Sequence, residues 1–226
     1  MSSSSQHRLV EKYDFPHCKA EKPISTLSLD GGKVRVRTPL GQESRWRDYK
    51  AISLHKDVCL AFFQNNPGLL DWINLQPFSR VITCVGDGHD GVWNLITKIG
   101  EKSQRREVLD WYHLMENLHK IDGHPQELKA IKNYLWHGEI EEAILKLKHI
   151  KKAAALNFRR YLYKHYSRIP DYCLYRELNI CIGSGSVEST IKRIGARIKI
   201  TGAQYLEKNV PQYLKLRCAY LNGAIF

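Results

Sequence analysis

The stretch RVITCVGDGHDGVWNL, residues 80–95, decides the fold. It opens with an apolar, largely β-branched run, Val81-Ile82-Thr83-Cys84-Val85, and Gly86 ends that run. Such a run reads as a buried strand of the parallel kind. Asp87 follows at once, between Gly86 and Gly88. A helical pattern comes next, with Val92, Leu95, Ile96 and Ile99 on one face and Gly100 in the position of a C-terminal cap. Strand, turn and helix in this order place Asp87 in the crevice at the carboxyl end of a sheet, where α/β proteins carry their sites. Taken alone, Asp87 is first a turn residue and only second a site residue. A second aspartate and a glutamate that can join it alter that balance.

Working outward, Arg106 to Asp110 reads as a further strand, which makes a βαβ unit and hence a parallel pair. Upstream, LSLDGGKVRVRT alternates apolar and polar residues on both sides of Asp30-Gly31-Gly32. Two strands joined by a hairpin at Asp-Gly-Gly are expected, with Asp30 as a turn residue. Pro39 to Arg47 reads as a loop, and Ala51 to His55 as a third antiparallel strand. Leu69 to Leu75 can form a short helix. The sum is an α/β chain with a mixed five-stranded sheet.

From Tyr112 to Tyr166 the pattern is helical. One stripe holds Leu114, Met115, Leu118 and Ile121; a second holds Leu128, Ile131 and Leu135 and stops at Gly138. A third runs Ile140, Ala143, Ile144, Leu147 and Ile150, with Lys146, Lys148, Lys151 and Lys152 near its open side. Those lysines are a solvated face first and a phosphate contact second. Ile169-Pro170 breaks the last of these helices. In NICIGSGSVEST, residues 179–190, Ser184 or Ser186 can cap a new helix with Glu188 in its first turn. There Glu188 is by composition a capping or dipole carboxylate. The divisions expected are a flexible lead-in at 1–25, a first core part at 26–111, a helical insertion at 112–178, and a second core part with a basic tail at 179–226.

The chain of 226 residues carries 35 Lys and Arg against 23 Asp and Glu, a net charge of +12. That excess favours a polyanionic partner, nucleic acid foremost. No run approaches the roughly 18 apolar residues of a membrane span, and the polar opening MSSSSQHRLVEKYDF has no signal-peptide core. The six cysteines form no CxxC pair. They read as reduced thiols of a cytoplasmic protein. His17-Cys18 lacks a second ligand pair, so no metal is expected there.

Asp30, Asp87 and Glu188 form the candidate constellation. If the first strand lies beside the strand that precedes Asp87, two carboxylates meet at one edge, and a helix can bring the third. Hard oxygen ligands of this kind suit Mg²⁺ or Mn²⁺. Two such ions about 3.5–4 Å apart can clamp the attacking and leaving oxygens of a phosphodiester displacement.

The segments SLDGGKVRVR, VGDGHDGVW, VLDWYHLMENL and IGSGSVESTIKRIGARIKITGAQYLEKNVPQYLKLRCAYLNG resemble DDE transposases of bacterial insertion sequences, in the Mutator-related branch and of the Kra type. The resemblance runs over roughly residues 25–223 in the family's order, and the last segment is its most specific part. It implies an RNase H-like fold with a helical insertion between the second aspartate and the glutamate. It also implies that Asp30, Asp87 and Glu188 are catalytic metal ligands for Mg²⁺ or Mn²⁺, two ions in all. Asp110-Trp111-Tyr112-His113 matches the Asp-x-x-His signature of the branch. Asp110 and His113 would then orient DNA or steady a carboxylate; alternatively they form a helix cap without chemistry. Lys192, Arg193, Arg197 and Lys199 would contact phosphates near the cut, although each is also an ordinary surface charge. The partner implied is double-stranded DNA, both transposon ends and target, bound by a homodimer, with no membrane.

Two departures matter. Full members carry an additional N-terminal region that helps recognise transposon ends, and the resemblance here begins close to the N-terminus, at roughly residue 25. Recognition of specific ends by this chain alone is therefore not expected. Tyr205 also stands where the family has Trp. Three functions remain open: metal-dependent DNA cleavage and strand transfer, a non-catalytic DNA-binding remnant of a transposase, and an RNase H-like nuclease that hydrolyses without joining.

Overall fold

The structure is a computed structural model and describes residues 8, 10–54 and 58–225. Five strands form one mixed sheet: β1 (Ile24–Val36), β2 (Arg45–Leu54), β3 (Val58–Phe63), β4 (Phe78–Gly86) and β5 (Arg105–Leu109). Their spatial order is β3-β2-β1-β4-β5. β2 runs antiparallel to β1 and β3, whereas β1, β4 and β5 are mutually parallel. The chain is α/β, as expected, and this order and direction of strands is consistent with an RNase H-like fold.

The expected hairpin at Asp30-Gly31-Gly32 does not form. β1 runs straight through it, and Asp30, Gly31 and Gly32 pair with Ala51, Lys50 and Tyr49 of β2. Neither glycine takes a positive φ, which a tight hairpin turn of this composition requires. Gly32 serves packing instead. A Cβ placed there would lie 2.2 Å from Cζ of the buried Tyr49. The sheet still has five strands because the two expected halves are one, and the missing strand is β3. β2 starts at Arg45, inside the expected loop, and the expected end of that strand at His55 lies outside the described residues.

Around the sheet lie α1 (Asn66–Asn74), α2 (Asp90–Ile96), α3 (Trp111–His119), α4 (Pro125–Trp136), α5 (Ile140–His149), α6 (Ala153–Lys164), α7 (Tyr172–Glu177), α8 (Gly185–Ile198) and α9 (Val210–Leu221). Successive residues of a strand point to opposite faces, and β1 shows the consequence. Leu29 pairs with Gly86, whose bare α-carbon makes room for Val92, Trp93 and Ile96 of α2. Its neighbour Ser28 points the other way, toward Ser186 of α8. Helices therefore cover both faces. α2 ends earlier than its pattern suggests, at Ile96. Gly100 does take the left-handed conformation, φ +55°, but after an intervening turn.

The helices α3 to α6 follow the expected stripes, and Gly138 between α4 and α5 has φ +72°. Their buried residues join those of the sheet in one core. α7 links this insertion back to the sheet: the buried Tyr172 hydroxyl donates to the Leu109 carbonyl at 2.8 Å. β1 begins within the segment expected as lead-in, Phe15 there is buried, and the Ala20 amide donates to Gln76 Oε1 at 2.9 Å. No helix among the described residues is long and apolar enough to cross a membrane.

Candidate active site

The middle of β1 and the ends of β4 and β5 meet at one crest of the sheet. β1 and β4 are parallel neighbours in register at Leu29 and Gly86. The next residue on each strand is Asp30 and Asp87, so the two aspartates stand level. β5 stops at Leu109, paired with Gly86, and Asp110 follows.

Asp30 is half-buried, and burial raises its carboxyl above the ordinary carboxylate value. The Gly31 amide, donating to Oδ1 at 2.5 Å, opposes that rise; the charge of Asp87 adds to it, and His113 and Lys50 oppose it. Removing two like charges from water side by side is costly unless a cation joins them. Asp87 is held by its loop. Its Oδ1 accepts from the His89 amide at 2.9 Å, and its carbonyl accepts from Trp93 Nε1 at 2.6 Å. The turn role and the site position of Asp87 are thus compatible.

Asp110 is 1 % exposed and is the hub behind the crest. Its Oδ1 accepts from the His113 amide at 2.9 Å, which caps α3, and lies 3.4 Å from His113 Nδ1. Its Oδ2 accepts both the amide and the hydroxyl of Ser184. Burial works to raise this carboxyl, but the hydrogen bonds from His113 and Ser184 outweigh it and hold the group below the ordinary value. Pairing with Asp110 pushes the His113 imidazole up to about 9 against the opposing effect of burial. Its charge lowers Asp30, and the charge of Asp87 in turn helps to raise His113. The helix cap expected of Asp110 and His113 is present.

Ser184 also precedes α8, the helix of Glu188. Val187, Thr190, Ile194 and Ile198 form its buried stripe. Each buried aliphatic side chain there contributes about 1.5–3 kcal/mol. Ser184 does not cap the helix with its side chain; its hydroxyl donates to Asp110 instead. One turn on, Ser186 Oγ stands 3.4 Å from Ser28 Oγ of β1. Two tethers thus fix the start of α8 over β1, the strand that carries Asp30.

The structure draws Asp30, Asp87 and His113 together; the Glu188 carboxylate is turned to Lys192, 2.6 Å away on the same helix. Among the described residues no three carboxylate, imidazole or thiol side chains gather as they stand to hold a metal ion. The chemistry of the donors does fit a hard divalent cation: two level carboxylates, and a third on a helix end nearby. The Glu188–Lys192 pair is exposed and spaced i,i+4, so breaking it costs only about 0.3–0.5 kcal/mol. Arg193, Arg197 and Lys199 are exposed on α8 or at its end.

Three neighbours were not expected from the sequence. Lys50 acts on Asp30 from β2, and only the register of β1 against β2 reveals it. Tyr161 of α6 covers Gly88, where a Cβ would lie 2.2 Å from the ring, and Trp93 holds the Asp87 carbonyl. Both are aromatic residues within helices, a type that sequence alone assigns to a core. No family model matches the chain, and no curated protein matches it.

Proposed function

We propose that this chain is the catalytic domain of a DDE-type transposase, which cleaves a DNA strand and joins the freed 3′-OH to target DNA with divalent metal ions. The observation that carries the reading is the level placement of Asp30, within β1, and Asp87, just past the end of the parallel neighbour β4, with the helix of Glu188 tethered beside them. Asp30 and Asp87 would hold Mg²⁺ or Mn²⁺, with Glu188 as third ligand once it leaves Lys192. A bound divalent ion lowers the pKa of attacking water and stabilises charge on phosphate oxygens. The protein's own part is positional. Trp93 and Tyr161 fix the Asp87 loop, Asp110 fixes α8, and the cationic His113 balances the two aspartates. Lys192, released from Glu188, joins Arg193, Arg197 and Lys199 as phosphate contacts. The net charge of +12 suits duplex DNA as partner.

A nicking assay on supercoiled DNA tests this. Wild-type protein should nick with Mg²⁺ or Mn²⁺, and Asp87→Ala should keep its fold and DNA affinity while losing the activity. The Glu188–Lys192 pair favours a second reading, a non-catalytic DNA-binding protein. Salt-sensitive binding without any metal-dependent nicking would select it.

A further inference from the structure

Beside the crest lies a groove that the three carboxylates do not use. It consists of two adjoining hollows of about 980 and 630 Å³. Tyr112, Arg176 and Ile182 line both, so the hollows are continuous. The larger hollow opens between α3, α4 and α7, with Trp136 in its wall and Lys129 and Lys132 at its rim. The smaller runs past Gly183 to Ser186, Ser189 and Arg193 on the first turns of the Glu188 helix.

We propose that this groove binds an unpaired stretch of the DNA strand next to the site of cleavage. Charge is the first argument: four cations line the hollows, Lys129, Lys132, Arg176 and Arg193, and no carboxylate does. A peptide groove of this size has no need to be so one-sided, whereas a phosphate backbone does. The aromatic residues are the second. Tyr112 is 63 % exposed although its neighbours Trp111 and Asp110 are buried. Its ring is held against Gly183, where a Cβ would lie 2.6 Å from Cε2. Arg176 lies 6.0 Å from the ring centroid of the half-buried Trp136. An exposed ring in contact with Gly183, near a guanidinium that lies over an indole, offers flat surfaces to a flat ligand. Bases in duplex DNA have their faces covered by one another, so only unpaired bases can use such surfaces. Position is the third. Tyr112 follows Asp110 in the chain, and the smaller hollow ends on the helix that carries Glu188. A base lodged on Tyr112 would therefore set the register of the strand at the carboxylates.

The inference rests on the reading of the chain as a DNA-cleaving enzyme, but its test needs no cleavage. Fluorescence anisotropy in EDTA would compare a labelled single-stranded decamer with a blunt duplex decamer, on the full chain. Tyr112→Ala should weaken single-strand binding about five- to hundredfold, the range for one lost stacking platform, and leave duplex binding within about twofold. Lys129→Ala with Lys132→Ala should weaken the single strand and flatten its salt dependence. Equal losses on both ligands, or no loss on the single strand, would overturn the proposal. Should Tyr112→Ala not fold, wild-type protein decides the matter: 2-aminopurine in the decamer should be quenched by stacking, and its absence of quenching would overturn the groove. Duplex binding without metal-dependent nicking would remove the catalytic reading while leaving this outcome measurable.

Discussion

Asp110 and Ser184, on different elements and far apart in the chain, are joined by a double hydrogen bond: the amide and the hydroxyl of Ser184 both donate to one carboxylate oxygen. The bond ties the end of β5 to the start of α8. Hydrogen bonds to a charged group contribute about 1.5–3 kcal/mol each. Ser184→Ala should lower unfolding free energy by about that amount. Asp110→Ala should cost more, because the Ser184 and His113 donors all lose their acceptor in a buried place. Urea unfolding midpoints at constant slope measure both.

Two histidines should shape the pH dependence of stability from opposite sides. His113 sits near 9 in the folded chain, above the ordinary 6.5. Its contribution is complete below about pH 6.5 and is lost as pH rises through 9. His165 is fully buried between Trp93 and Tyr161, and burial lowers it to about 4. The unfolded chain takes up that proton first, so stability falls as pH drops from 6.5 toward 4. Unfolding followed across pH should lose its alkaline slope in His113→Gln and its acid slope in His165→Phe.

Gly31 and Gly32 should respond differently to alanine. At Gly31 a Cβ would approach the flexible end of Lys50, 3.2 Å away, whereas at Gly32 it would overlap the buried Tyr49 ring. Gly31→Ala should be near neutral, and Gly32→Ala should cost about 1–3 kcal/mol, the usual penalty for overpacking. Thermal unfolding of the two variants separates a continuous strand from a hairpin, in which both positions would be sensitive.

Gly88 and Tyr161 should be coupled. Gly88→Ala forces the Tyr161 ring away from the Asp87 loop. Tyr161→Ala makes room for the added methyl. The double variant should be more stable than the sum of single losses by about 0.5–3 kcal/mol, the range for residues in contact. A double-mutant cycle by denaturant unfolding measures it.

The parallel core was legible because β-branched runs, glycines and helical stripes agree around residues 80–110. The strand count was legible for a partly accidental reason. Asp30-Gly31-Gly32 has turn composition, but the pairing with β2 and the Tyr49 ring over Gly32 keep it extended. Such cross-strand packing leaves no local trace. β3 went unread because Val58-Cys-Leu-Ala-Phe-Phe is apolar on both faces and lacks alternation. At the site, the level aspartates followed from setting the first strand beside β4, although Asp30 lies within β1 and not at its expected end. The Ser184 bond to Asp110 did not, since Ser184 reads as a helix cap and gives its hydroxyl to a residue 74 positions away. Tyr161 and Lys50 reach the site only through tertiary packing.

Asp30, Asp87 and Glu188 are proposed to share one cation site. Crystals grown with Mn²⁺ and measured at the manganese absorption edge test it most directly. An anomalous peak should lie between the Asp30 and Asp87 carboxylates, with Glu188 turned from Lys192 toward it. A peak elsewhere, or none at millimolar Mn²⁺ with Glu188 still paired to Lys192, would contradict the account.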